Sequence, residues 1–199
     1  MSATAPVRRL TEAEYLDFER KAEVKHEFFD GEVFAMSGGT RTHSLVAANL
    51  IAALHGRLKN RCQTFTSDLR VKIEMTGLYT YPDVSVACGE QRFADDQDDV
   101  LLTPTLVVEV LSESTEAYDR GKKFEHYRRI PSLQGYLLVR QEYAHLELFS
   151  RQSDGTWRLS EASGMEAELQ IPAIEVVLPL KEVYLGVKFP SANGSTAPA

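Results

Sequence analysis

The sequence predicts a fold of the α/β (α+β) class, in which a central mixed β-sheet is flanked by helices. Helical and strand patterns alternate along the chain, which is typical of a sheet covered by helices. The TLVVEVL run at residues 105–111 is almost wholly apolar, as expected for a central strand buried on both faces. With 199 residues, 43% hydrophobic and 26% charged, the chain can form one core and is not a disordered or low-complexity protein.

The N-terminal third carries three local signals. Thr11 opens a T-x-x-E capping pattern and predicts a short helix over residues 12–21. Asp30-Gly31 lies between two apolar segments and predicts an N-terminal β-hairpin. Apolar residues at helical spacing predict the longest helix over residues 42–60.

Short strands dominate the rest of the chain. Apolar runs predict strands at residues 63–67, 69–74, 84–87, 105–111, 135–139, 145–149 and 157–160. The last two are extra C-terminal strands beyond the core of the sheet. A helix is predicted over residues 116–129, and Pro131 ends it.

The pattern predicts a single domain at residues 11–188. Residues 1–10 are expected to form a flexible N-terminus and residues 189–199 a disordered C-terminal tail. The sequence has no signal-peptide pattern and no apolar run near the roughly 18 residues that span a bilayer, which predicts a cytoplasmic protein. Cys62 and Cys88 are too few for a disulfide framework, and we expect two inert buried thiols.

The chain is acidic, with 22 basic and 29 acidic side chains and a formal net charge of −7 at pH 7. This charge argues against a nucleic-acid coat protein but not against a nucleic-acid enzyme, because the field at a site can oppose the net charge. Residues 118–129 carry five basic and two acidic side chains. Arg120, Lys122 and Arg128 in this segment are candidates for phosphate contacts, although a basic run more commonly forms a solvated helix face.

Two carboxylates stand at positions that demand a partner. Glu109 interrupts the apolar strand, so it must be ion-paired, metal-bound or protonated. Asp83 follows Pro82 at the start of another strand, where proline gives the carboxylate a defined direction. The two acids together predict a site for Mg²⁺ or Mn²⁺, which prefer hard oxygen ligands. The alternative is an ion pair between Glu109 and a structural arginine or lysine.

The helix that follows places Asp119, Lys123 and Tyr127 at i, i+4 spacing on one face. If this face turns toward the strand ends, Lys123 can orient a water molecule and offset the charge of a phosphate. The alternative is a surface ion pair with a tyrosine packed beneath it. His43, at the start of the long helix, is either a capping or surface group or a residue that contacts phosphate or transfers a proton.

Together, Pro82-Asp83, Glu109 within VVEVLSEST, and the D-x-x-x-K-x-x-x-Y spacing that begins at Asp119 resemble the Uma-two family of putative restriction-endonuclease-like proteins. That family is a branch of the PD-(D/E)XK nuclease superfamily. The similarity covers about residues 11–187. It implies a restriction-endonuclease-like core and magnesium-dependent hydrolysis of phosphodiesters, with Asp83 and Glu109 as the metal-binding acids.

The resemblance also implies roles for further residues. The backbone carbonyl of Val110 is implied as a third metal ligand. Leu111 stands where the superfamily motif has a lysine, so the resemblance assigns the role of that lysine to Lys123. The accessory and supporting residues that it implies are Glu27, His43, Asp119 and Tyr127.

These observations predict a Mg²⁺- or Mn²⁺-dependent endonuclease that hydrolyses phosphodiester bonds of DNA. A homodimer is also expected, because two related sites cut two strands most simply. Two alternatives stay open. One is a catalytically silent module with a nuclease fold that binds or regulates. The other is a metal-free two-carboxylate hydrolase, for instance a glycosidase.

Overall fold

The structure, a computed structural model, describes residues 9–189. Flexible tails were expected at residues 1–10 and 189–199, and of these, residues 1–8 and 190–199 lie outside the described residues. Leu10, which we expected in the flexible N-terminus, is held on the hairpin, because its backbone N–H donates to the Gly31 carbonyl oxygen at 2.9 Å. Within the described part of the chain, no helix has both the length and the apolar character needed to cross a bilayer.

The described residues form short helices and thirteen strands. The helices are α1 (Glu12–Glu19), α2 (Arg41–Leu58), α3 (Glu116–Tyr118), α4 (Phe124–Tyr127) and α5 (Leu180–Val183), with a π-helical turn at Asp119–Lys123 and a 3-10 turn at Pro172–Ile174. The strands are β1 (His26–Phe29), β2 (Glu32–Ala35), β3 (Cys62–Thr66), β4 (Arg70–Ile73), β5 (Leu78–Thr80), β6 (Val84–Cys88), β7 (Val100–Leu101), β8 (Leu106–Val110), β9 (Gly135–Val139), β10 (His145–Arg151), β11 (Trp157–Ser163), β12 (Glu168–Ile171) and β13 (Val176–Pro179).

The predicted fold class is confirmed, and each predicted element is present within a few residues of its expected bounds. Strands β5, β7, β12 and β13 were not predicted, because runs of two to four residues carry little periodicity. The prediction of one continuous α-helix over residues 116–129 was wrong. A π-helical turn separates α3 from α4.

A six-stranded mixed sheet forms the centre of the molecule, in the order β11-β10-β9-β8-β6-β3. Strands β8 and β9 run parallel, and the other pairs are antiparallel. All five residues of β8 are buried, as the apolar run predicted. Helix α2 covers one face through residues such as Leu50 and Leu54, which pack in one cluster with Val84 and Val108.

A five-stranded sheet, in the order β2-β1-β5-β4-β7, covers the other face. Ile73 and Leu78 from this sheet share a buried cluster with Val107 and Leu138 of the central sheet. The β1–β2 hairpin turns at Asp30-Gly31, as predicted, and lies at one end of the five-stranded sheet. Strand β12 pairs with β13 in a small separate sheet.

The expectation of two free thiols was wrong, because Cys62 and Cys88 form a disulfide bond. The two residues lie directly opposite each other in the antiparallel β3–β6 pair, with their Cα atoms 4.2 Å apart. Strand register, which decides this contact, could not be read from two isolated cysteines in the sequence.

Candidate active site

One cavity of about 320 Å³ gathers the predicted site residues. Its walls come from the β1–β2 hairpin, the loop before α2, the end of β8 and the helical segment at residues 115–123. The start of β6 lies beside the end of β8 because these strands pair antiparallel, with Val84 opposite Val108. The predicted residues that line the cavity are Glu27, His43, Asp83, Glu109, Val110, Asp119 and Lys123.

Glu109 lies in the central strand with its side chain 5% exposed. Its Oε1 atom is 2.9 Å from Nζ of Lys123 and accepts a hydrogen bond from the Tyr127 hydroxyl at 2.8 Å. The ion pair that we considered as the alternative for Glu109 is therefore present. Its partner is Lys123.

Lys123 lies at the centre of a carboxylate cluster. Its Nζ atom is 3.4 Å from Oε1 of Glu27 and 3.5 Å from Oδ1 of Asp119, in addition to its contact with Glu109. Asp119 and Lys123 begin and end the π-helical turn, and both side chains are buried. With Tyr127 also fully buried, the predicted face of this helix points inward, and the surface ion-pair alternative is excluded.

Asp83 is fixed by the strand beside it. Its Oδ2 atom accepts a hydrogen bond from the backbone N–H of Val110 at 2.7 Å. The same oxygen lies 3.2 Å from Nε2 of His43. His43 is in the first turn of α2, where its backbone N–H donates to the hydroxyl of Thr40, the N-cap residue. The first turn of α2 therefore places the imidazole of His43 beside the carboxylate of Asp83.

Burial and charge shift the protonation equilibria of this cluster. Burial raises the pKa of Glu109 to about 8, although Lys123 opposes the shift. Burial also raises the pKa of Asp119. Burial alone would lower the pKa of Lys123, but the carboxylates, Glu109 foremost, hold it well above its usual value. A hydrogen bond to Asp83 raises the pKa of His43 despite the opposing effect of burial.

The donor set suits a hard divalent cation. Four carboxylates face one ammonium group and one imidazole, so the cavity carries excess negative charge. Burial is the main cause of the raised pKa of Glu109, and a bound cation would favour its ionised form. Asp83, Glu109 and the backbone carbonyl of Val110, the residue after Glu109, offer oxygen ligands of the kind that Mg²⁺ or Mn²⁺ takes.

The three basic residues predicted to contact nucleic acid do not line this cavity. Arg120 donates to both carboxylate oxygens of Glu147 at 2.5 Å and to Oε1 of Glu116 at 2.7 Å. Lys122 is exposed on the helix surface. Arg128 is exposed and lines a separate surface pocket with Trp157.

A second group of potential ligands lies on β10 and β11, where His145, Glu147 and Glu161 approach one another within 4.8 Å. The charge of Glu147 is already compensated by Arg120, which donates to both of its oxygens. This group is therefore a weaker candidate for a cation than the cavity.

Four further residues at the site were missed by sequence reasoning: Phe34, Thr80, Tyr118 and Tyr136. The Thr80 hydroxyl donates to Oε1 of Glu27. The Tyr136 hydroxyl donates to the backbone carbonyl of Asp119 at 2.9 Å. For two of them the sequence held a weak signal. Tyr136 lies in a predicted strand, and Tyr118 directly precedes Asp119, a predicted site residue. Nothing in the sequence marked Phe34 or Thr80.

Comparison with known proteins shows similarity along most of the chain. The family model described as Uma2, putative restriction endonuclease, matches residues 12–181. An uncharacterized Synechocystis protein, slr1290, is 38% identical over 189 residues, which cover 94% of this chain and 98% of the relative. A second, sll1609, is 36% identical over 177 residues, which cover 88% of this chain and 100% of the relative.

A solved structure shares the fold. The crystal structure of a putative nuclease belonging to DUF820 from Anabaena variabilis matches with a TM-score of 0.72. The match covers 88% of this chain and 97% of that protein, at 17% sequence identity. The overall fold is therefore one that an experimentally solved protein also adopts.

Proposed function

Since this chain belongs to the Uma2 family of putative restriction endonucleases, we propose that it is a nuclease that cuts DNA at the cavity described above. The family description and the fold shared with the putative nuclease from Anabaena variabilis support nuclease activity of a general kind. The observation that carries the choice of site is the cluster of three carboxylates, Glu27, Glu109 and Asp119, around the buried ammonium group of Lys123.

The proposed activity depends on Mg²⁺ or Mn²⁺. The carboxylates of Asp83 and Glu109 and the backbone carbonyl of Val110 would hold the ion. When bound, such an ion supplies positive charge to the scissile phosphate and activates the attacking water. The hydrogen bond from the Val110 N–H to Asp83 and that from the Tyr127 hydroxyl to Glu109 hold the two carboxylates in place.

Lys123 has the main catalytic role among the side chains. Its ammonium group orients the attacking water and offsets negative charge that develops on the phosphate. Asp119, four residues earlier, and Glu27, on the hairpin, hold Nζ from two further sides as accessory residues. His43, whose imidazole lies beside Asp83 in the cavity lining, would give a proton to the leaving oxygen.

The wider setting of this activity is also part of the proposal. Lys122 and Arg128 remain candidates for phosphate contacts outside the cavity, whereas the guanidinium of Arg120 is engaged by Glu116 and Glu147. We further propose a cytoplasmic homodimer, in which two related sites act on the two strands.

A cleavage assay on plasmid DNA in the presence of Mn²⁺ tests this function. We expect the wild-type protein to nick or linearise the plasmid and EDTA to abolish cleavage. Lys123→Ala should lower the rate by about 10²–10³-fold, as loss of one preorganised donor does in other enzymes. Circular dichroism confirms that the variant is folded.

Lys21→Ala is the matched control, because Lys21 is an exposed lysine paired with Asp17 on the surface of the protein. This control should cleave at the wild-type rate. Equal rates for Lys123→Ala and wild type would remove the role given to Lys123. Cleavage that persists in EDTA would favour a metal-free hydrolase.

A further inference from the structure

An exposed phenylalanine lies on the wall of the candidate active site. Phe34 is on β2, the edge strand of the five-stranded sheet, and is 48% exposed. It lies opposite Glu27 in the β1–β2 register, so both side chains are on the same face of the hairpin. Since Glu27 contacts Lys123, that face is the one turned toward the cavity, which Phe34 also lines.

A second exposed ring lies on another wall of the same cavity. Tyr118 ends α3 and is 37% exposed. Its ring centroid is 5.9 Å from Nζ of Lys123, so the ring is next to the reacting groups of the proposed nuclease. A single exposed aromatic needs no explanation. Two of them beside one buried carboxylate cluster indicate a flat apolar ligand.

The charges of the cavity do not suit a DNA duplex. Proteins that bind duplex DNA draw much of their affinity from several Lys and Arg contacts to phosphates. Among residues 9–189, the cavity lining offers only His43 and Lys123 as cationic groups, and both contact carboxylates. Inside the cavity, affinity for nucleic acid must therefore come largely from contacts other than ion pairs between side chains and phosphates.

The small size and the depth of the cavity also favour a single DNA strand over a duplex. A volume of about 320 Å³ is at the small end of the range of roughly 300–1,000 Å³ that small-molecule pockets show. The groups that would react are recessed, because the side chains of Glu109 and Lys123 are 5% and 6% exposed. An adjoining groove shares Thr40, Ser112, Ser114 and Gln141 with the cavity and extends past Glu113 and Glu142 to Lys188, so the site continues beyond the carboxylate cluster in one direction.

We propose that Phe34 and Tyr118 are stacking platforms for the bases of an unpaired DNA strand, so that each site takes one strand, either free or from a locally melted region, in preference to a regular duplex. Every base presents a flat face, so such stacking binds DNA without reading its sequence. This inference rests on the proposed nuclease function for the identity of the ligand, and it narrows the substrate class.

Fluorescence anisotropy tests this proposal, with a labelled single-stranded oligodeoxynucleotide and its duplex, in Ca²⁺. We expect the wild type to bind the single strand more tightly than the duplex. Phe34→Ala and Phe34→Leu should weaken single-strand binding by about 5- to 150-fold, the range that corresponds to loss of one base–aromatic stack. Phe34→Tyr should retain binding, because it keeps the flat ring. The same comparison applies to Tyr118. Tyr118→Leu should weaken single-strand binding, and Tyr118→Phe, which keeps the flat ring, should retain it.

Leu185→Ala is the control for loss of an exposed apolar side chain, since Leu185 is 68% exposed and does not line the cavity. It should bind as wild type does. Retained single-strand binding in Phe34→Leu and Tyr118→Leu, preference for the duplex, or no binding of either DNA would overturn the proposal. If stacking is confirmed but no cleavage occurs in Mn²⁺, only the nuclease function fails. If cleavage occurs but is insensitive to both rings, only the stacking inference fails.

Discussion

Lys123 shows, at the scale of single residues, what local sequence can and cannot predict. The spacing from Asp119 predicted the face that these residues share, and the apolar strand marked Glu109 as a carboxylate in need of a partner. The approach of Glu27 could not be predicted, because no local pattern fixes how a hairpin sits against a helix far away in the chain. The structure adds the distances, with three carboxylates within 3.5 Å of Nζ.

Removal of this ammonium group should destabilise the protein. We expect Lys123→Met to lower the free energy of unfolding by about 3–5 kcal/mol in EDTA, because it leaves the carboxylates of Glu27, Glu109 and Asp119 without their cation. Urea denaturation followed by circular dichroism measures the change. Lys21→Met, at an exposed surface pair with Asp17, should cost less than about 0.5 kcal/mol. Similar losses in the two variants would contradict a stabilising role for Lys123.

The segment from α3 to α4 carries the site at the scale of secondary structure. A helix was predicted here, but the π-helical turn was not, since it depends on a local change in hydrogen bonding that residue spacing does not reveal. Such turns often occur at functional sites. An ion pair between Arg120 and Glu147 of β10 holds the segment on the central sheet. Arg120 also contacts Glu116 of α3, within the segment itself.

We expect Glu147→Gln to lower the free energy of unfolding at pH 7 by about 1–3 kcal/mol, since it leaves the charged Arg120 without its main partner. The hydrogen bonds from Arg120 lower the pKa of Glu147. The stabilisation is therefore complete above the ordinary glutamate pKa of about 4.3 and is lost as the pH falls through the lower folded value.

Denaturation curves for wild type and Glu147→Gln between pH 7 and the onset of acid unfolding measure this dependence. The difference between the two proteins should shrink only at the acid end. Glu161→Gln, at an exposed carboxylate on the neighbouring strand, serves as the control and should change little. A difference that stays constant into the acid range would argue against the Arg120–Glu147 pair.

Two glycines should respond in opposite ways to alanine. A Cβ atom at Gly121, in the π-helical turn, meets no other atom within 4 Å, so Gly121→Ala should stabilise the protein by about 0.5–1 kcal/mol. A Cβ atom at Gly135, in β9, would lie 2.7 Å from Cδ1 of the buried Leu106. Gly135→Ala should therefore cost about 1–3 kcal/mol. Thermal unfolding ranks the two variants, and the reverse order would show that the packing described is incorrect.

The arrangement of the sheets belongs to the scale of the whole molecule, and the sequence predicted it least well. Hydrophobic patterns located most strands, and the apolar character of β8 placed it at the centre of its sheet. They could not divide the strands between two sheets, because partner choice depends on contacts between distant segments. The opposition of Cys62 and Cys88 follows from that same pairing.

The disulfide between these cysteines can be tested by thiol titration of the denatured protein, purified without reductant. We expect no free thiols before reduction and two after it. Loss of a cross-link over a separation of 26 residues should lower the free energy of unfolding by about 3–4 kcal/mol in the chain-entropy account. Two free thiols in the purified protein would contradict the bond.

The same titration on protein trapped by alkylation inside cells bears on the proposed location, because disulfides persist mainly in oxidising compartments. Two alkylated cysteines would agree with a cytoplasmic protein, and none would agree with an oxidising compartment. Thiol titration of the purified protein therefore tests the bond, and the same titration after alkylation inside cells tests the proposed location.

The central claim is that the acidic cavity binds a divalent metal ion, and isothermal titration calorimetry of Mn²⁺ tests it most directly. We predict saturable binding to the wild type, weakened by at least about tenfold in Asp83→Asn, as expected when a ligand carboxylate is lost. Asp17→Asn, which changes an exposed surface carboxylate, should bind as the wild type does. Negligible heats for the wild type, or equal binding by wild type and Asp83→Asn, would contradict a metal site formed by Asp83 and Glu109.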